Sequence, residues 1–157
     1  MFIMTEKHEI INLNYYARIK VNGNEINASV KPTILGDKGD TSVSITVVSF
    51  EVPMDADYAL YDLFKAIADG NKPIWNVNTV RSLSSVWNTI KTEHKSLPLM
   101  NKVELSVSGL NELTITYPSY YRGSEDVDSN IETVKAELQK ALCGEHFVIV
   151  GPEFADN

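Results

Sequence analysis

The clearest pattern of apolar and polar positions in the chain runs over residues 41–70. Apolar residues fill both sides of an extended segment there: Val43, Ile45, Val47, Val48, Phe50 and Val52. A strand that is buried on both faces loses simple alternation, so this pattern predicts a strand near the centre of a sheet. Pro53 is expected to end the strand, because proline cannot donate a ladder hydrogen bond.

An amphipathic helix is predicted directly after this strand. Apolar side chains recur there at spacings of three and four: Ala56, Ala59, Leu60, Leu63, Phe64 and Ile67. This spacing puts them on one buried face and leaves Tyr58 and Tyr61 leaning outward. Asp55 or Asp57 is predicted to cap the first turn, and Gly70 is predicted to end the helix.

Two β-hairpins are predicted from strict alternation. Residues 10–32 alternate around Asn22-Gly23, a dipeptide that favours a two-residue type I′ turn. Residues 103–117 alternate around a loop that contains Gly109 and Asn111. Each hairpin offers one apolar face, as a sheet covered by helices on one side requires.

Two further helices and a last strand complete the predicted elements. One helix is expected over about residues 79–95. Another opens with a capping-box pattern at 129–132 (Ser-Asn-Ile-Glu) and ends at Gly144. Residues 147–150 predict a short strand, which Gly151-Pro152 is expected to stop.

The order of these elements predicts the fold class. We expect one α+β domain over residues 1–157, with frayed termini at 1–9 and 152–157. Its antiparallel sheet would combine the N-terminal hairpin with strands in the ferredoxin-like β-α-α-β-β-α-β order. The helices would pack on one face of that sheet.

Composition narrows the class of protein. Of 157 residues, 43% are hydrophobic, which is enough for a core without disulfide or metal staples. The single cysteine excludes an internal disulfide, and this fits a cytoplasmic location. Neither the first residues nor any later run has the apolar length of a signal peptide or a membrane span, so no membrane partner is predicted.

The net charge of −7 is concentrated in the last third of the chain. Residues 103–157 hold ten acidic and three basic side chains, whereas residues 76–102 hold one and four. Phosphate binding draws on clustered lysine and arginine, so nucleic acid is an unfavoured partner. Its only route would be the basic residues Arg81, Lys91, Lys95 and Lys102.

Catalytic and metal-binding patterns are missing from the sequence. It contains no phosphate-binding or dinucleotide-binding glycine motif, no nucleophile elbow and no paired cysteine or histidine motif. Cys143 and His146 are three residues apart, but a thiol at a helix C-terminus is not activated. The acidic run near residue 128 lacks EF-hand spacing, and the glycine loop at 36–40 lacks a following helix for an anion site. We therefore predict no enzyme activity, no cofactor and no metal.

Tyrosine and arginine cluster at the end of the second hairpin. Tyr117, Tyr120, Tyr121 and Arg122 are followed at once by Glu125 and Asp126. Tyrosine and arginine anchor protein interfaces, because they bury a large area and keep a polar group. With the outward-leaning Tyr58 and Tyr61, they are the predicted binding residues. The rings could also stack on a base, or merely edge the core.

These features favour a non-enzymatic protein-binding module that is accessory or inhibitory to its partner. Its size and acidic composition suit a phage-encoded factor that blocks a host protein. The alternative is a small-ligand protein that binds a nucleotide, and its site could lie between subunits of a homo-oligomer. A second alternative is a virion or assembly protein with exposed strand edges.

Overall fold

A computed structural model of the chain describes residues 1–5, 7–30, 43–143, 145 and 147–155. The predicted glycine loop at 36–40, the predicted helix end at Gly144 and the candidate His146 lie outside these residues. The chain divides into two compact units, Met1–Ser82 and Leu83–Asn157. The single domain over residues 1–157 stays a prediction.

The first unit contains six strands and one long helix among its described residues. They are β1 (Phe2–Met4), β2 (Ile10–Asn12), β3 (Tyr16–Asn22), β4 (Glu25–Val30), β5 (Ser44–Ser49), α1 (Pro53–Asp69) and β6 (Ile74–Asn76). The strands form two sheets of three, in the orders β2-β1-β6 and β3-β4-β5. Strand β1 pairs antiparallel with β2 and parallel with β6, whereas β3-β4-β5 is antiparallel throughout.

Strands β1 and β6 correct the predicted N-terminal fraying at 1–9. Each is only three residues long, which is too short to show alternation. Ile3 lies between Ile11 and Trp75 in the sheet register and is fully buried. The start of the chain is therefore held in the sheet by a buried side chain and by both neighbouring strands.

The first hairpin is confirmed, with its turn shifted by one residue. Asn22 pairs with Glu25, so the two-residue loop is Gly23–Asn24. Gly23 has a φ of 63°, whereas φ of Asn24 is not positive. A glycine with positive φ at the first loop position is typical of a type II′ turn rather than the predicted type I′ turn.

Helix α1 is confirmed, but its buried face is rotated from the predicted one. Tyr58 and Tyr61 are 1% and 8% exposed, while Phe64 and Ile67 are about half exposed. The prediction that the two tyrosines lean outward is wrong. Polar contacts fix the rotation: Trp75 Nε1 donates to Asp62 at 2.7 Å, and Ser82 Oγ donates to Asp55 at 3.1 Å.

The N-terminus of α1 differs from the prediction, whereas its C-terminus agrees with it. Val52 occupies the N-cap position without a side-chain cap, so neither Asp55 nor Asp57 has the predicted role. Pro53 instead starts the helix, because its fixed φ suits the first turn. Gly70 ends the helix as predicted, with φ of 66°.

The core of the first unit joins α1 to both sheets. It contains Ile26 and Ala28 of β4, Val47 and Val48 of β5, Ala59, Leu63 and Ala66 of α1, and Ile3, Trp75 and Val77. Burial of such side chains contributes about 1.5–3 kcal/mol each relative to exposure. The pattern predicted β4, β5 and α1, but not the strands β1 and β6 that contribute Ile3 and Trp75 to this core. Strand β5, predicted near the centre of a sheet, lies at the edge of β3-β4-β5.

The second unit contains two helices and three strands among its described residues. They are α2 (Leu83–Glu93), β7 (Glu104–Gly109), β8 (Glu112–Pro118), α3 (Glu125–Ala141) and β9 (Val148–Ala155). Strand β8 is central, antiparallel to β7 and parallel to β9. The protein is therefore α+β with three small antiparallel or mixed sheets, and the ferredoxin-like order is not confirmed.

Strand β9 runs past the point where the sequence predicts that it stops. A bulge accommodates Gly151-Pro152: Thr114 pairs with Val150, and Thr116 pairs with Glu153. The Gly151–Pro152 peptide bond is cis, and Gly151 has a φ of 131°. Residues 153–155, which lie in the predicted frayed terminus, thus pair with the end of β8.

Helix α3 begins four residues before the predicted capping box. Ser124 is the N-cap, and its Oγ accepts a hydrogen bond from the backbone N–H of Asp126. Glu125, Asp126 and Asp128 fall in the first turn, where the helix dipole favours negative charge. The acidic run at 125–128, which precedes the predicted capping box at 129–132, is therefore helical.

Candidate functional site

A short link of backbone turns holds the predicted tyrosine and arginine residues between β8 and α3. A 3₁₀ turn at Ser119–Tyr121 follows Pro118 directly. The N–H of Arg122 donates to the Ser119 carbonyl at 3.1 Å, and the N–H of Ser124 donates to the Tyr121 carbonyl at 3.0 Å. Both bonds lie within the link, which joins β8 to α3 directly, and they favour one backbone arrangement for the side chains that it presents.

Two neighbouring aromatic rings form the exposed part of this link. The ring centroids of Tyr120 and Tyr121 are 4.4 Å apart, with an interplanar angle of 45°. Tyr120 is 68% exposed, while Tyr121 is half-buried. Partial burial, and then the nearby Tyr120 and Asp126, raise the pKa of Tyr121, so its hydroxyl stays protonated at neutral pH.

Arg122 packs against an aromatic ring on β9, the last strand of the chain. Its guanidinium carbon lies 5.4 Å from the ring centroid of Phe154 on β9. This distance allows a cation–π attraction, which is worth about 0.5–1 kcal/mol at exposed sites. Phe154 therefore holds Arg122 in place while leaving the guanidinium at the surface.

Three carboxylates follow the link in the first turn of α3, and Asp126 acts electrostatically on Tyr121. Glu125, Asp126 and Asp128 are all exposed. The N-cap role belongs to Ser124, so none of these three carboxylates caps the helix. We call Tyr120, Tyr121, Arg122, Glu125 and Asp126 the Tyr–Arg surface; its formal charge is −1.

Tyr117 does not belong to this surface, although the sequence predicted it there. It is 1% exposed on β8, and its hydroxyl lies beside Asn130 of α3. Burial raises the pKa of Tyr117, and the Asn130 amide offsets part of the rise. No hydrogen bond of normal geometry reaches Tyr117 Oη or Asn130 Oδ1 among the described residues, while Asn130 Nδ2 donates to the Pro98 carbonyl.

Replacing Tyr117 by phenylalanine tests this arrangement. We expect the free energy of unfolding to stay the same or to rise by up to about 1 kcal/mol, because a buried hydroxyl without a partner is costly. Urea unfolding followed by circular dichroism measures the change, with Tyr117→Ala as the control that empties the site and costs about 3–5 kcal/mol. A loss above about 1 kcal/mol in the phenylalanine variant would show that Oη makes a strong hydrogen bond.

Two more of the predicted binding residues are buried and do not belong to the Tyr–Arg surface. Tyr58 and Tyr61 belong to α1 of the first unit, and both are buried. Five of the eight predicted residues are thus brought together at one accessible place. The sequence missed Phe154, because the segment that carries it was predicted to fray.

Other chemistry is sparse in the described part of the chain. No group of three or more histidine, cysteine, aspartate or glutamate side chains there could hold a metal ion. Cys143 is a free, exposed thiol. None of the helices in the described residues has the length and apolar character needed to cross a membrane.

Comparison of the chain with protein-family models, with curated proteins and with solved structures finds no match. The side chains of the Tyr–Arg surface are therefore the basis for inferring function.

Proposed function

We propose that this chain is a non-enzymatic protein-binding module and that it binds its partner through the Tyr–Arg surface. The observation that carries the proposal is the exposed ring of Tyr120, paired at 4.4 Å with Tyr121 on a backbone-bonded link. Tyrosine and arginine dominate the energy of protein interfaces. Side chains that are already held in one arrangement lose less conformational entropy when the partner binds, so the cost of binding is lower.

The surrounding side chains support a binding role over a catalytic one. The pKa of Tyr121 is raised, which makes its phenol a weaker acid and a poorer nucleophile at neutral pH. Arg122 lies 5.4 Å from the ring centroid of Phe154, a side chain that takes no part in proton transfer. An accessory or inhibitory factor needs only such a surface, and the small acidic chain suits a phage-type factor that blocks a host protein.

A nucleotide is the alternative ligand, since paired rings beside an arginine could stack on a base and contact a phosphate. Glu125, Asp126 and Asp128 oppose it, because exposed carboxylates beside the rings repel phosphate. A thermal shift with ATP tests the alternative, since a ligand that binds the folded state raises the melting temperature. Native mass spectrometry on the same sample would detect the homo-oligomer expected of an assembly protein.

Replacing Tyr120 by alanine is the direct test of the proposed surface. We expect the variant to lose most of the proteins that the immobilised wild type captures from a bacterial lysate, because an interface tyrosine commonly contributes about 2 kcal/mol or more. Captured proteins are identified by mass spectrometry. Folding should be unaffected, since the ring is 68% exposed.

Tyr15 provides the matched control for this experiment. Its ring is 70% exposed, so Tyr15→Ala removes a tyrosine of nearly equal accessibility from the other unit. We expect this variant to capture the same proteins as the wild type. Equal capture by both variants would exclude Tyr120 from the interface.

A further inference from the structure

We infer that the Tyr–Arg surface takes a cationic segment of a partner protein, one that carries lysine or arginine side chains. This inference rests on the proposed function, since it specifies the partner of the same surface. It depends on how the charged groups around the two tyrosine rings are already engaged.

The only cation of the surface is already in contact with an aromatic ring. Arg122 lies over Phe154 at 5.4 Å and has no ion pair with Glu125 or Asp126 among the described residues. The arginine lies toward β9, and neither carboxylate of the surface is ion-paired with it, so the surface keeps a formal charge of −1. Positive charge on a partner could therefore pair with these carboxylates without displacing an existing ion pair.

The carboxylates are exposed and are fixed at one end of a long helix. Glu125, Asp126 and Asp128 follow the N-cap Ser124 in the first turn of the 17-residue α3. Asp126 is close enough to Tyr121 to contribute to the rise in its pKa, so its negative potential reaches the Tyr121 hydroxyl. Residues 119–128 together carry three carboxylates and one guanidinium.

Aromatic faces and carboxylates recognise the same kind of ligand. A lysine or arginine side chain can lie over the face of a tyrosine ring, because the ring quadrupole attracts its positive charge. The cation loses part of its hydration there, and nearby carboxylates offset that loss. Tyr120 offers such a face, since most of its ring is open to solvent. An acidic or phosphorylated segment would instead face like charge at close range.

Neutralising two carboxylates tests the inference in the 157-residue chain. The probe is a fluorescein-labelled peptide of alternating lysine and alanine, and its affinity is measured by fluorescence anisotropy at low salt. We expect the double variant Glu125→Gln, Asp126→Asn to bind the peptide about fivefold more weakly than the wild type. Added salt should weaken the binding of the peptide to the wild type, because it screens the charges. Backbone ¹H–¹⁵N shifts should change at residues 119–128.

A charge-matched control separates local from overall electrostatics. Glu51→Gln with Glu104→Gln removes two exposed carboxylates elsewhere and raises the net charge by the same amount. We expect this variant to bind the peptide within about twofold of the wild type, because screening limits attraction over more than a Debye length. Equal weakening in the two variants would overturn the inference, as would shift changes away from residues 119–128.

Failure of this inference is distinguishable from failure of the proposed function. If Tyr120→Ala loses its captured partner but the charge variant keeps it, the surface binds a protein that is not recognised by positive charge. If an equivalent peptide of alternating glutamate and alanine binds residues 119–128 as tightly as the lysine peptide, the cationic preference is refuted. Melting temperatures of all variants verify that each one is folded.

Discussion

Gly151→Ala should lower the free energy of unfolding of the second unit by about 3 kcal/mol or more, because it combines strain with a clash. Gly151 has a φ of 131°, which side chains rarely tolerate. An added Cβ would lie 2.7 Å from the Ile115 carbonyl oxygen and 3.1 Å from Ile115 Cβ. Ile115 is fully buried in the central strand β8, so neither atom can move aside easily.

Two other glycines of the second unit separate the two causes. At Gly109, which has no positive φ, an added Cβ would come no closer than 3.4 Å to Glu112 Cβ. At Gly123, φ is 79° but no atom lies within 4 Å. Urea unfolding should therefore rank the alanine variants with Gly109 least affected, Gly123 intermediate at about 1 kcal/mol and Gly151 most affected. A Gly151 variant no less stable than the Gly123 variant would show that β9 does not approach β8 this closely.

Trp75→Ala should destabilise the first unit by about 3–5 kcal/mol, because it removes a large side chain from the core. The indole is 3% exposed and packs in the cluster that joins α1 to the sheets. Its Nε1 also donates to the Asp62 carboxylate at 2.7 Å, which is a charge-assisted hydrogen bond. The free energy of unfolding in urea measures the combined loss.

Phenylalanine at the same position isolates the hydrogen bond. Trp75→Phe keeps most of the buried ring, so a loss of about 1.5–3 kcal/mol beyond that of a matched variant would belong to the Asp62 contact. The matched variant is Trp87→Phe in the second unit, where the tryptophan is also buried but its indole N–H has no hydrogen bond among the described residues. Equal losses in the two variants would mean that the Asp62 contact contributes nothing to stability.

The same contact explains why the sequence predicted α1 but not its orientation. Helical spacing identifies a helix from local residues, and Pro53 and Gly70 mark its two ends. The rotation about its axis depends on Trp75 and Ser82, which follow in the chain and contact Asp62 and Asp55. A hydrophobic stripe that includes Leu60 and Phe64 gives no sign of these partners, so Tyr58 was assigned to the wrong face.

The sequence predicted strands that are long enough to show alternation, and it did not identify the shortest ones. The hairpins β3-β4 and β7-β8 have six or seven residues in each strand, and their alternation was sufficient. Strands β1, β2 and β6 have three residues each, and their identity depends on neighbours that are distant in sequence. Pairing of β9 across Gly151-Pro152 likewise depends on a bulge opposite Ile115, which the local sequence does not indicate.

The candidate site was predicted where its residues are adjacent in sequence. Tyr120, Tyr121 and Arg122 lie together because one turn contains them. Their contacts were not predictable, since Phe154 lies more than 30 residues away and reaches Arg122 only through the parallel pairing of β8 with β9. Burial of Tyr117 follows from alternation along β8, where Leu113, Ile115 and Tyr117 share one face.

Because β9 is the last strand in the chain and pairs with the central strand β8, one edge of β8 has no partner while the protein is being synthesised. A ribosome synthesises β7, β8 and α3 before β9, so any β7-β8 hairpin that forms before β9 is made has one edge of β8 bare. Bare edges are sites of unwanted pairing with other chains, and here the edge stays open until residues 148–155 emerge. Phe154 is among the last of them, so a nascent chain cannot yet hold Arg122 in its final position.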